Sequence, residues 1–354
     1  MRIFQQTIDS ITPQSTTYRN KAKERLDRLT MPHWALGRLM DLAVDLAGMT
    51  RSLTPPVSRK AILTLAGDHG VTEEGVSKFP REVTPQMVHN FVNGGAGINA
   101  LAAQAGAQVL VVDMGVAADL SDLAVSGRII PKKIAMGTAN MAQGPAMTRD
   151  QAVQSIEAGI EVACELEDTI DIFGTGDMGI GNTTPSTAIV AALTGASVEE
   201  VTGRGTGLND GQLQHKIDVV KKSLAVNTPD PSDGLDVLSK VGGFEIGGIA
   251  GVILSAAAQE KPVIIDGFIS TAGALIAHAI NPEVKDYIIA AHRSVEPGHK
   301  IMHAHLGCDP LLDLSMRLGE GTGAALAMNI VEAAVRVLTD VATFEEAAVS
   351  DSNK

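Results

Sequence analysis

The sequence predicts an α/β fold built on a parallel β-sheet, and three observations carry that expectation. Four short β-branched or aliphatic runs, AILTLAGDHG (61–70), AQVLVVDMGV (107–116), TIDIFGTGDMG (169–179) and KPVIIDGFIS (261–270), each end in Gly or Asp and lead into a helical pattern. Their apolar stretches are continuous rather than alternating, which marks strands covered on both faces by crossover helices. At 354 residues the chain is long enough to bury such a sheet and carry a minor appendage or a second domain.

Along the chain, the first thirty residues are rich in Gln, Thr, Lys, Arg and Asp and read as polar helix outside the sheet. The run 61–70 is the first strand, and it ends on Asp68 and His69. In such sheets ligands bind beyond the carboxyl ends of the strands, so Asp68, Asp113, Asp177 and Asp266 share the favoured edge. Asp68 is equally suited to capping the turn that follows it. After the third strand, FGTGDMGIGNTTP (173–185) sets Gly174, Gly176 and Gly179 in G-x-G-x-x-G spacing. A dinucleotide fingerprint would run straight into its helix, whereas this loop continues through Gly181 to a helix expected to start with Thr184 as N-cap and Pro185 as first helical residue. What remains is a loop rich in free N–H groups at a helix N-terminus, suited to a phosphate or carboxylate.

A second glycine cluster, VTGRGTGLND (201–210), precedes an amphipathic helix that Lys216 is expected to open. Together the two clusters suit one phosphate without metal, and the lack of G-x-x-x-x-G-K-[ST] leaves a P-loop nucleotidase unsupported. HKIMHAHLGC (299–308) gathers His299, His303, His305 and Cys308, with His299 and His303 at i, i+4. A metal site is one reading and a helix surface with solvated histidines the other; no Glu sits between the pair as in H-E-x-x-H, which favours the second. MRLGEGTGAALAM (316–328) holds Glu320 between Gly319 and Gly321, ahead of a helix expected over 322–338. The N-terminal partial charge of that helix would lower the carboxyl pKa, while burial against Met316, Leu318 and an apolar ligand would raise it. Read alone, Glu320 is as well a favourable helix-start charge as a base. The stretch after about residue 325 joins the first thirty as a helical subdomain, giving a large α/β domain over 30–325 and a small helical domain of 1–29 plus 326–354. The closing SDSNK is expected to fray.

Composition narrows the function classes. Lys plus Arg total 28 against 41 Asp plus Glu, a net charge of −13 that repels a phosphate backbone and argues against nucleic-acid binding. The two cysteines, Cys164 and Cys308, cannot form a disulfide framework and fit a reducing cytoplasm. The N-terminus shows no basic segment leading into an apolar run, and the long apolar stretches are broken before membrane length, so no membrane partner is expected. Aromatic residues make up 3% of the chain while glycine counts 36, so a flat ligand must be held mainly by aliphatic side chains and backbone.

Taken in order, LGRLMDLAVDLAGM (36–49), DHGV (68–71), EVTPQMV (82–88), ALAAQAGAQVLVVDMGV (100–116), GTANMAQGPAMTR (137–149), FGTGDMGIGNTTP (173–185), DVLSKVGGFEIGGIAGVILSAA (236–257), DGFIS (266–270) and MRLGEGTGAALAM (316–328) resemble the nicotinate-nucleotide:dimethylbenzimidazole phosphoribosyltransferase family over nearly the whole chain. The resemblance implies a Rossmann-like parallel sheet domain, a small helical domain made from both chain ends, and a homodimer. It implies transfer of phosphoribosyl from nicotinate mononucleotide to dimethylbenzimidazole with inversion at C1′, giving α-ribazole 5′-phosphate and nicotinate in cobalamin nucleotide-loop assembly, with no cofactor and no metal. By resemblance, Glu320 is the base that takes the benzimidazole proton. Gln86, Leu318, Met178 and Phe79 lie on the base pocket, and Asp177 with Gly179 where ribose and base meet. Gly203, Gly205, Lys216 and Ser294 fall on the ribose-phosphate side, with Asp68, Asn182, Thr183 and Asp266 behind them. Three departures stand out: Asp177 where the family often has Glu, Phe79 where some members have a small polar residue, and MPHWALGRL (31–39), with the only tryptophan, where many read K-P-P-G-S-L-G-R-L. A non-catalytic benzimidazole carrier on the same fold is the alternative, and a dinucleotide oxidoreductase rests only on the glycine spacing.

Overall fold

The computed structural model describes residues 2–205 and 207–350; of the closing SDSNK (350–354), expected to fray, all but Ser350 lies outside the described residues. Six parallel strands form the sheet: β1 (Lys60–Gly67), β2 (Ala107–Gly115), β3 (Ile130–Pro131), β4 (Ile172–Met178), β5 (Val263–Ile265) and β6 (Ile288–Ala290). Their spatial order is β3-β2-β1-β4-β5-β6. From β1 the chain builds outward in one direction and from β4 in the other, so the crevice between β1 and β4 is the topological switch point. All eight residues of β1 are buried, as its continuous apolar run requires for a central strand.

The helices in chain order are α1 (Arg2–Ser10), α2 (Thr16–Leu26), α3 (Arg38–Met49), α4 (Val83–Val92), α5 (Gly97–Ala105), α6 (Ser121–Val125), α7 (Arg149–Glu165), α8 (Thr183–Thr194), α9 (Val198–Val201), α10 (Asp210–Asn227), α11 (Gly234–Val241), α12 (Phe244–Ala258), α13 (Phe268–Ile280), α14 (Pro297–Leu306) and α15 (Thr322–Asp340). The pleat of β1 separates the two covering layers, because successive side chains point to opposite faces. Ile62 and Thr64 face the segment leading into α15, and Leu65 faces Gly248 of α12. α12 and α7 touch backbone to backbone: a Cβ on Gly159 would lie 2.8 Å from the carbonyl carbon of Gly248, and one on Gly251 2.9 Å from that of Ile156. α15 is long and apolar enough to cross a membrane by composition alone, but 61% of that stretch is buried inside the fold, the signature of a core helix.

The chain ends meet. Leu29 bridges Thr343, and Arg25 donates from Nε to Leu338 O at 2.8 Å and pairs with Glu346 at 3.0 Å. α1 lies instead against α7 and α12. Trp34 donates from Nε1 to Asp41 Oδ1 at 2.9 Å, tying its loop to the first turn of α3.

Several local expectations are corrected. β3 and β6 lie outside the four strands the sequence predicts, being two and three residues long and carrying little pattern of their own. α8 starts at Thr183 with Asn182 at the N-cap, so Thr184 and Pro185 sit inside its first turn, where a missing N–H costs nothing. Lys216 does not open α10: Asn209 caps that helix, accepting from Gln212 N at 2.9 Å, and Lys216 lies two turns in.

Candidate active site

Glu320 sits at the switch point in a backbone conformation that L-residues avoid. Gly319, Glu320 and Gly321 have φ of +81°, +64° and +98°, three left-handed residues in a row. A non-glycine residue there persists only when its surroundings over-determine it, and such strain gathers at functional sites. Here Glu320 N donates to Asp177 O at 3.3 Å, its carbonyl accepts from Thr64 Oγ1 at 3.0 Å, and its Oε2 accepts from Ile98 N at 3.1 Å. The segment lies so close to β4 that a Cβ on Gly176 would overlap the Glu320 carbonyl and lie 2.6 Å from Gly321 N.

The helix whose N-terminus serves Glu320 is therefore α5, not the α15 expected from sequence. The first N–H groups of α15 are taken by Asp266, which accepts from Gly321 N at 3.1 Å, Gly323 N at 2.6 Å and Ala324 N at 3.1 Å. The contest over the Glu320 carboxyl is decided by burial, which raises its pKa above the ordinary value, with the Ile98 N–H opposing. Burial also lifts Asp177 to about 8, helped by Asp266, Glu245 and Glu320 and opposed by Asn182. Asp266 rises to about 7, burial outweighing its three N–H donors. Asp177 accepts from Asn182 Nδ2 at 2.9 Å through Oδ2, and its buried Oδ1 has no partner.

These groups border a cavity of about 600 Å³ beyond the strand ends, a size that suits a small-molecule ligand. One wall is apolar: Phe79, Val83, Met87, Met178, Ile180 and Leu318. The far end is polar, with Thr183, Gly205, Ser294, Glu296 and Arg317, and His292 beside Gly267. Behind that end, the buried Lys216 donates from Nζ to Thr183 Oγ1 at 2.6 Å. Burial lowers its pKa to about 8, against the raising effect of Glu296.

The sequence-expected residues separate accordingly. Glu320, Asp177, Met178, Gly179, Asn182, Thr183, Gly205, Ser294, Leu318 and Phe79 line the cavity. Gln86 does not: it is exposed on α4, and its neighbours Val83 and Met87 supply that wall. Gly203 is packed against Glu296, which fills the space a Cβ would need. Asp68 is buried behind the site, accepting from Ala117 N at 2.8 Å, with Arg81 3.7 Å away. Asp266 lies beneath Glu320 as an anchor for α15.

Of the three histidines on α14, His305 is exposed as expected, but His299 and His303 do not lie on a solvated surface. His299 and His303 are buried with ring centroids 4.1 Å apart, and burial depresses both, His303 to about 4. His299 Nδ1 accepts from Ser294 N at 2.9 Å, so Nε2 carries the proton and faces Thr271 Oγ1 at 2.8 Å. His299 thereby fixes the loop that presents Ser294. Among the described residues no group of three or more His, Cys, Asp or Glu side chains is arranged to hold a metal ion.

A family model described as phosphoribosyltransferase matches residues 11–349. The chain belongs to that phosphoribosyltransferase family. A relative in Syntrophotalea carbinolica, named nicotinate-nucleotide--dimethylbenzimidazole phosphoribosyltransferase, is 63% identical over 99% of both chains. One of the same name in Desulfotalea psychrophila is 61% identical over the full length of both. A crystal structure of CobT from Thermus thermophilus superposes with a TM-score of 0.91 at 44% identity, covering 95% of this chain and all of that one.

In this phosphoribosyltransferase, sequence reasoning missed Val83, Met87, His292, Glu296 and Arg317. Val83 and Met87 were legible as the i, i+4 partners of an apolar face on α4. Glu296, directly before Pro297, reads as an acid at the start of a helix, and nothing local marks it as a cavity residue.

Proposed function

We propose that this enzyme transfers phosphoribosyl from nicotinate mononucleotide to dimethylbenzimidazole, the reaction for which its relatives are named. The supporting observation is the placement of the Glu320 carboxylate, held by Ile98 N on a cavity that is also lined by apolar side chains and by Thr183, to which the buried Lys216 ammonium donates.

The pyridinium of the nucleotide is already a good leaving group, so the protein must supply position, a base and an anion anchor. In the proposed arrangement the flat base lies along Met178, Leu318 and Phe79, with its N–H toward Glu320. Its other ring nitrogen attacks C1′ from the face opposite nicotinate. The new C–N bond forms as the old one breaks, the bonding pair leaves with the nicotinate ring nitrogen, and the proton released from the base passes to Glu320. A carboxyl whose pKa burial has raised is a stronger base than a free one, which matches it better to this task. The uncommitted Oδ1 of Asp177, a cavity-lining residue, supports a role for it where base and ribose would meet. Lys216, with the Thr183 hydroxyl to which it donates and Arg317 nearby, supplies the positive end for the phosphate.

The free thiols Cys164 and Cys308 support work in the cytoplasm. The exposed apolar Leu314 and Val295 support a homodimer, and the Leu29–Thr343 bridge supports a small helical domain from both chain ends. The test is to mix the pure protein with nicotinate mononucleotide and dimethylbenzimidazole without added metal and assay nicotinate and the α-ribotide. Binding of both substrates without product would overturn transfer and leave a carrier.

A further inference from the structure

The anion end of the cavity already holds an anion belonging to the protein. Glu296 is buried, its Oε1 accepts from Gly205 N at 3.1 Å, and its Oε2 has no partner. A Cβ on Gly203 would lie 2.6 Å from its Cδ, and one on Gly205 3.4 Å from Lys216 Nζ. The carboxyl thus uses an N–H that a ligand phosphate would use and stands beside the same ammonium. Two anions beside one buried ammonium repel each other, which favours a bound anion that shares a proton with Glu296.

We propose that Glu296 makes this end selective for an oxyanion able to carry a proton, a phosphate monoester or inorganic phosphate, over one that cannot, such as sulfate. The inference rests on the placement of the substrate phosphate proposed above. The unpartnered Oε2 is the atom that completes an O–H···O bond to a phosphate oxygen. Phosphate monoesters take up their second proton near about pH 6, so one proton shared between two oxygens is available close to neutrality. Sulfate brings none, and all of the proton would have to come from the carboxyl.

The charged groups facing Glu296 are Lys216 from α10 and Arg317 from the segment ahead of α15, which also donates to Gly205 O at 3.0 Å. Arg204 turns away to Leu208 O and Asp210, and α8 brings only the Thr183 hydroxyl. On its own helix, His299 is engaged by Ser294 and Thr271, and the His303 ring lies tilted against His299. Burial raises the Glu296 carboxyl while Lys216 opposes, which favours its taking up a proton when a second anion arrives. Lys216 itself responds to either anion, so a preference for phosphate over sulfate isolates Glu296.

The experiment is titration calorimetry of the full-length enzyme with inorganic phosphate and with sulfate at matched ionic strength, between pH 6.5 and 8.5, in two buffers of different ionisation heat. The expected result is phosphate binding at least about tenfold tighter than sulfate at neutral pH, more proton uptake with phosphate than with sulfate, and weakening as pH rises. In Glu296→Gln both anions should bind within about threefold of each other and the extra proton uptake should vanish. Equal binding of the two anions by the wild type overturns the role of Glu296 while leaving the phosphate end in place. Failure of phosphate to bind, or to compete with nicotinate mononucleotide, overturns the phosphate placement itself, and this inference with it. The wild-type comparison needs no variant, so misfolding of Glu296→Gln leaves the test intact.

Discussion

Adding one methyl group to Gly176 pushes on Glu320 through bare backbone. The new Cβ would overlap the Glu320 carbonyl and lie 2.6 Å from Gly321 N, where ordinary contacts begin at 3.4 Å. No flexible side chain can yield, so the segment 319–321 must retreat by about 1 Å. It is pinned by Thr64, Asp177 and Asp266, and forcing it costs about 1–3 kcal/mol, the usual range for overpacking. For a chain of this length that lowers Tm by about 1–4 °C. A displacement of about 1 Å in a reacting group costs roughly a hundredfold in rate. In Gly176→Ala we therefore expect kcat to fall about a hundredfold while KM for nicotinate mononucleotide changes little, because the anion end is untouched. Gly144→Ala, which meets nothing within 4 Å, is the control and should leave both melting and turnover unchanged. A folded Gly176→Ala enzyme with kcat within threefold of wild type would refute the claim that this backbone contact positions the base.

Two further outcomes follow from the buried charges. Lys216→Met should raise KM for nicotinate mononucleotide at least about tenfold with little effect on KM for the base; with its pKa lowered to about 8, Lys216 loses its proton above that pH, so wild-type affinity for the nucleotide should weaken there, and equal effects on both KM values would count against the assignment. Asp177 and Asp266 hold protons in the folded protein, up to about pH 8 and about pH 7, that the unfolded chain releases near 3.8. Their contribution is fully present below that lower value and is lost as pH rises through the folded ones, at about 1.4 kcal/mol per pH unit for each group. Urea unfolding between pH 5 and 8 should show this falling slope, shallower in Asp177→Asn; a rising slope from these groups would contradict their burial.

Much of this architecture is legible in the residues because it is local. Continuous apolar runs ending in Gly or Asp give β1, β2, β4 and β5 and point to the strand ends where the cavity lies. The two glycines beside Glu320 signal an unusual backbone. What joins Glu320 to its partner is not local: Ile98 is 222 positions away, and only the packing of α5 against α15 brings its N–H to the carboxylate. The same holds for Glu296, whose meeting with Gly205 and Lys216 spans three separate segments. Histidine spacing at i, i+4 reads alike for a wet and a buried helix face, and the burial of His299 and His303 depends on how α14 packs against α8 and α13. Gln86 shows the converse limit, since its position in a motif says nothing about which face of α4 turns to the cavity.

The most direct test of Glu320 as the base is the turnover of Glu320→Gln across pH 5–9. The amide oxygen can still accept from Ile98 N, and the left-handed backbone is equally open to Gln, so the fold should be retained. We expect kcat to fall by roughly two to four powers of ten, the usual worth of a general base, and the acid-side decline of the wild-type profile, set by the raised Glu320 carboxyl, to disappear. A folded variant that turns over near the wild-type rate with the same acid limb would remove Glu320 from the mechanism.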